Sequence, residues 1–154
     1  MVNQPADQLA GLIRSGWSQK LVYSDTDIPA SQTELKGQLQ VLNQPPLASY
    51  FWIEILNVVD TPSIQFKLWA CNPKFPSNDK LAFVSTGGPI AANGVFLVVL
   101  GANLDIGAID EQYAADNILV PPYYKAGLVT GAGTGTPTFD ANIWHLHYPR
   151  SARY

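Results

Sequence analysis

Charge is scarce in this chain: only 14% of its 154 residues are Asp, Glu, Lys or Arg, against roughly 25% in an average soluble domain. The nine basic residues are dispersed and the formal net charge is −3. No basic stripe exists to track phosphates, which argues against a nucleic-acid partner. Cysteine occurs once, as Cys71, so no internal disulfide can form, and synthesis in a reducing compartment fits best. Histidine occurs twice, as His145 and His147. Long apolar runs are missing as well, since no stretch approaches the ~18 residues of a membrane span. The opening residues MVNQPADQLAGLIRSG carry Asp7 and lack an apolar core of signal-peptide length, so the chain is expected to begin at or just after Met1 and to have no membrane partner.

What is abundant is apolar residues, 47% of the chain, together with twelve Gly and twelve Pro. That is enough to fill one core cut into short segments by turns, and one domain is expected. With so little charge, part of the surface is a candidate for cover by neighbours in an assembly.

Residues 1–16 differ from the rest. Leu9, Leu12 and Ile13 stand at i, i+3 and i+4, Pro5 suits a first helical turn and Gly16 a helix end, which reads as a short helix or arm. It is too short to be stable alone in water, so its apolar stripe must dock on this domain or on a neighbour. From Trp17 the period changes to two, and residues 17–149 read as an all-β domain, with 150–154 as a tail. About eight strands are expected, at 17–23, 34–42, 50–59, 63–72, 80–85, 94–101, 123–130 and 138–148. In the second, Leu35, Leu39 and Val41 alternate with Lys36, Gln38 and Gln40, predicting one buried and one wet face. The third is apolar on both faces and reads as central. Asp60-Thr61-Pro62 predicts a tight hairpin between the third and fourth strands, and Gly131 to Pro137 a second hairpin closing the last pair. Residues 24–29 read as a turn, and 102–117 as a loop with a helical turn near 110–115. Short strands without alternating helices predict an antiparallel sandwich or jelly roll.

Few constellations point to chemistry. His145-Leu146-His147 places both imidazoles on one face of a strand, as zinc or cupin-type sites require, but a site needs further ligands. The sequence has no other histidine, and no Glu follows at the cupin spacing. Structural histidines, with no metal, are the expectation. The acidic pairs Asp25/Asp27 and Asp110/Glu111 lack a ligand ladder and read as turn caps. Gly131 to Thr136 has no Lys in place and leads into a strand, so it is a hairpin tip rather than a phosphate loop. Ser85 and Ser151 lack a nucleophile-elbow context, and Cys71 reads as a buried structural thiol. No enzyme activity and no cofactor are expected.

The aromatics are more telling. Trp52, Trp69 and Trp144 alternate with apolar neighbours, and Tyr123 and Tyr124 follow Pro121-Pro122 beside a strand edge. Outward aromatics of this kind serve as a carbohydrate platform, as an oligomer interface, or as the second face of a buried strand. The segment order IEILNVVDTPSIQFKLWACNP, an apolar strand after GGPIAANG, then NILVPPYYKAGLVTGAGTGTPTFDANIWHLHY resembles small β-sandwich capsid decoration, or cement, proteins of tailed bacteriophages. The resemblance spans roughly residues 35–148 and is one of layout, without an invariant motif.

The resemblance implies a homotrimer on the outer surface of a virion, bound to the major capsid protein, made in the host cytoplasm and without catalytic residues. Such proteins use a terminal arm to reach an adjoining subunit, which makes residues 5–15 a candidate and Arg150 and Arg153 of the tail an alternative. The interface candidates are therefore Leu9, Leu12, Ile13, Trp52, Trp69, Tyr123, Tyr124, Trp144, Arg150 and Arg153. A carbohydrate-binding module, using Trp69 or Trp144, is the competing reading, and a minor capsid or tail component a third.

Overall fold

The computed structural model describes residues 18–31, 34–42, 46, 48–75, 77–84, 89–101, 113–115 and 119–147. The expected arm with Leu9, Leu12 and Ile13, and the tail with Arg150 and Arg153, lie outside the described residues. Eight strands follow in order: β1 (Ser18–Pro29), β2 (Glu34–Lys36), β3 (Gln40–Val41), β4 (Ala48–Ala70), β5 (Lys80–Val84), β6 (Gly94–Gly101), β7 (Tyr113–Ala115) and β8 (Tyr123–His147). They hydrogen-bond in the order β1-β8-β4-β6-β7, with β2 and β3 also on β8 and β5 also on β4. All pairings are antiparallel except the short β6–β7 contact, which is parallel.

The architecture rests on β4 and β8, which have 23 and 25 residues where an ordinary strand has about 5–6. They pair along most of their length, from Ser49↔His147 to Ala70↔Tyr124, and both bend midway, where the register shifts between Leu56 and Pro62. Each therefore contributes to two layers. The first layer holds β1, the end of β8, the start of β4, then β6 and β7. The second holds β2 and β3, the start of β8, the end of β4, and β5. The layers face each other, as Phe51 of the first and Phe66 of the second show with ring centroids 4.9 Å apart. Both bends lie at one end, where β1 finishes (Pro29↔Thr138) and β6 begins (Ile55↔Gly94). This wrapping of a long antiparallel ribbon into two sheets is a jelly roll.

The sequence reading is corrected at five places. Residues 50–59 and 63–72 are not a hairpin, because they are two halves of β4. Residues 123–130 and 138–148 likewise do not pair, because they belong to β8. Asn57 (φ 52°), Asp60 (φ 57°) and Gly135 (φ 75°) do adopt left-handed conformations, but there they redirect a strand from one layer to the other. Residues 24–29 continue β1 through a register shift between Asp25 and Ile28 instead of turning. Residues 34–42 form two pieces, and the break at 37–39 reverses the alternation, so that Gln40 is buried and Val41 is 55% exposed. Finally, 113–115 is a strand and not part of a helical turn.

The core between the layers is built from alternate residues: Phe51, Ile53 and Ile55 from the start of β4, Ile64, Phe66 and Leu68 from its end, and Tyr124, Ala126, Leu128, Phe139, Ala141 and Ile143 from β8. The bend end is tied by side-chain acceptors. Asp140 accepts from the Asn57 amide (2.7 Å) and from the Asp27 backbone N–H (2.8 Å), Asn93 from the Val58 N–H (2.9 Å), and Asp60 from the Thr136 N–H (3.0 Å). The two donors to Asp140 hold its carboxyl below the usual range.

Candidate functional site

The two histidines share the inner face of β8, as their spacing predicted, but inside the sandwich. His145 is 1% exposed and stacks on Phe51 with centroids 4.5 Å apart and planes 10° apart. Its Nδ1 lies 2.6 Å from the Tyr124 hydroxyl and its Nε2 2.8 Å from Ser49 Oγ. A neutral imidazole accepts from one of these hydroxyls and donates to the other, so both ring nitrogens are satisfied. Burial, with the charges of His147 and Lys20 adding to it, pushes the His145 pKa well down. Burial alone lowers that of His147 and raises that of Tyr124. The His147 ring lies 4.9 Å from that of His145, and its Nδ1 is buried without a partner. Among the described residues no group of three or more metal-capable side chains exists. Tyr124, His145 and Ser49 form a closed polar chain in the core, which fixes packing because each broken bond leaves an orphan.

This network carries a pH prediction. Above about pH 6.5 the imidazoles are neutral in both folded and unfolded chains, so they contribute no pH dependence. Below it the unfolded chain takes up protons that the folded one refuses, so stability falls as pH drops. For His145 the slope approaches 1.4 kcal/mol per pH unit, roughly the value of one full proton. Denaturant titrations between about pH 6.5 and 5 are expected to show this fall. The His145→Gln variant should flatten it, and an unchanged slope would contradict the assignment.

The tryptophans lie on opposite outer surfaces. On the second layer Trp69 is 3% exposed, with the Lys36 ammonium 5.1 Å from its ring centroid. Asp79 clamps that lysine (2.9 Å) and Lys125 (3.4 Å). Burial would raise the Asp79 pKa, but the hydrogen bonds and charges of the two lysines outweigh it and hold the carboxyl low. The nearby Cys71 thiol is pushed up, chiefly by burial. On the first layer Tyr50, Trp52, Leu97, Val99 and Leu146 form a second apolar cluster facing away from the core, with Trp144 half-buried against it. Trp144 donates to Glu54 (3.2 Å). Tyr124 points into the core, not outward, and Tyr123 is half-buried opposite the exposed Val41. Trp52, Trp69 and Tyr124 thus have almost no area left to offer a neighbour. Large apolar side chains stay exposed at both ends of the molecule: Val41 (55%), Phe75 (64%) and Leu119 (47%) away from the bends, and Leu56 (42%) and Val59 (53%) at them.

A further feature went unseen in the sequence. A cleft of about 370 Å³ opens between Leu21–Asp25 of β1 and Lys36, Gly37, Gln38 and Gln40. Here the edges of the two layers meet, for Gly37 donates to the Ala126 carbonyl (2.8 Å) and a Cβ on it would strike the Val22 carbonyl oxygen. The available signal was Gly37 itself, which interrupts an otherwise regular alternation.

No protein-family model matches the chain, and no curated protein matches it. Among solved structures, a chain in the structure of the infectious bursal disease virus Gx strain is similar, with a TM-score of 0.43 and 10% identity. The likeness covers 86% of this chain and 34% of that one, so this chain spans about a third of its length.

Proposed function

We propose that this chain is a structural protein of a virion, and in particular a decoration or cement protein that binds the major capsid protein on the outer surface of a shell as a homotrimer. The observation that carries the reading is the jelly-roll wrap of β4 and β8, an architecture common in viral shells as well as in lectins and cupins. Fold alone does not assign a role, and two features favour contact over catalysis. His145, Ser49 and Tyr124, a trio with acid–base and nucleophile chemistry, are sealed in the core and bonded to one another. Several large apolar side chains stay exposed, Val41, Phe75 and Leu119 among them, and these suit a protein interface. Three weak contacts linked in one trimer gain effective concentration and bind tightly.

The reading of paired Trp69 and Trp144 as a sugar platform is disfavoured, because they occupy opposite surfaces and no ring could stack on both. The mass of the purified protein by light scattering is expected to be three times the 16.7 kDa protomer. Electron microscopy should then show added density on undecorated shells mixed with it. A protein that stays monomeric and leaves every candidate shell bare would end the proposal.

A further inference from the structure

We propose that the cleft between β1 and residues 36–40 binds a neutral polyhydroxylated ligand, the chemistry of a sugar ring. The lining residues supply both donors and acceptors. Gln40 is 6% exposed; its amide Nε2 donates to the Gln38 carbonyl (3.3 Å), while its Oε1 is buried with no partner. An orphaned buried acceptor costs about 1–3 kcal/mol; the atom is sealed from solvent as it stands, so a ligand hydroxyl relieves it once the Gln40 amide turns toward the cleft that the residue lines. Opposite stands Tyr23, half-buried, whose phenol burial and Asp25 push up to about 12, so it remains an O–H donor. Asp25 accepts the Thr26 N–H on Oδ1 (2.8 Å) and forms no ion pair among the described residues, which leaves carboxylate capacity for a hydroxyl donor. Gln38 adds an exposed amide able to donate and accept.

The charge of the cleft decides the ligand class. Lys36 lines it, but its ammonium is held by Asp79 and lies over Trp69. The remaining formal charge is that of Asp25, which disfavours phosphate, sulfate and acidic sugars. Leu21, 41% exposed, adds an apolar patch for the C–H face of a ring. The volume lies at the small end of ligand pockets, which run from about 300 to 1,000 Å³, and suits one or two rings.

The test is a titration of the isotope-labelled full chain with methyl α-mannoside, methyl β-galactoside and N-acetylglucosamine, with N-acetylneuraminic acid as the acidic comparison. Saturable amide shifts confined to residues 21–25 and 36–40 are expected with at least one neutral probe, and weaker ones with the acid. Tyr23→Phe and Gln40→Leu should each weaken binding at least tenfold. Gln40→Leu removes the orphan, so its thermal stability should be retained or raised, which separates lost binding from lost folding. No saturation with any neutral probe, shifts mapping elsewhere, tighter binding of the acid, or indifference to both substitutions would each overturn the proposal.

Discussion

Replacing Gly127 with alanine is expected to lower stability by upward of about 3 kcal/mol, at the severe end of overpacking effects, or to prevent folding altogether. Gly127 sits in β8 between Lys36 of β2 and Lys67 of β4, and a methyl group there would meet the Leu35 carbonyl oxygen at a separation no real Cβ adopts. The obstacle is backbone, so no rotamer change can relieve it; β2 would have to leave the sheet. Gly131 is the control, because its nearest neighbour to a new Cβ is Ser63 Cβ at 3.9 Å, an ordinary contact. With each kcal/mol worth roughly 2–4 °C in a chain of this size, a melting curve distinguishes the two variants at once. Equal melting points for Gly127→Ala and Gly131→Ala would show that β2 does not cross where described.

Truncating Phe51 to alanine should cost about 3–5 kcal/mol, the range for a buried aromatic. Phe51 is fully buried and touches both layers. It stacks on His145, packs on Phe66 at 4.9 Å and meets Tyr124 edge-on at 6.1 Å. Its loss would open a cavity beside a polar network that depends on a dry, rigid wall. Val59→Ala, at a bend position 53% exposed, should stay within about 0.5 kcal/mol of the parent. Chemical denaturation of the two variants checks the difference, and a loss below about 1 kcal/mol at Phe51 would remove it from the centre of the core.

The alternation of β4 was legible because burial follows a period of two: Ile64, Phe66 and Leu68 alternate with Gln65 and Lys67 and point inward, whereas before the bend both faces are apolar and only the fold shows that Phe51, Ile53 and Ile55 are the ones in the main core. The run GVFLVVLG of β6 was legible for the same reason, since a strand without a polar face has to be covered. What the sequence concealed is which segments pair. Asp60-Thr61-Pro62 and the Gly/Thr stretch before Pro137 supply left-handed and kinked backbone, and that chemistry serves equally to reverse a strand or to carry it across a corner. Only the partner decides, and the partner of Ile64 is Thr130, far away along the chain. The same limit hid the candidate cleft, because Leu21–Asp25 and Lys36–Gln40 become neighbours only when two sheet edges close. The histidine pair was read correctly as one-faced, but its spacing carries no information on whether that face is wet or dry.

The long ribbon has a kinetic corollary. Every residue of β4 that pairs with β8 must wait for a strand made more than fifty residues later, as the pair Ala70↔Tyr124 shows, and closing so distant a contact slows folding. At about 5–20 residues per second, a ribosome would hold β4 unpaired on that side for seconds. During that interval an edge rich in isoleucine and phenylalanine stands open to other nascent chains, so recovery of native protein should depend on expression rate and on chaperone supply more than its final stability suggests.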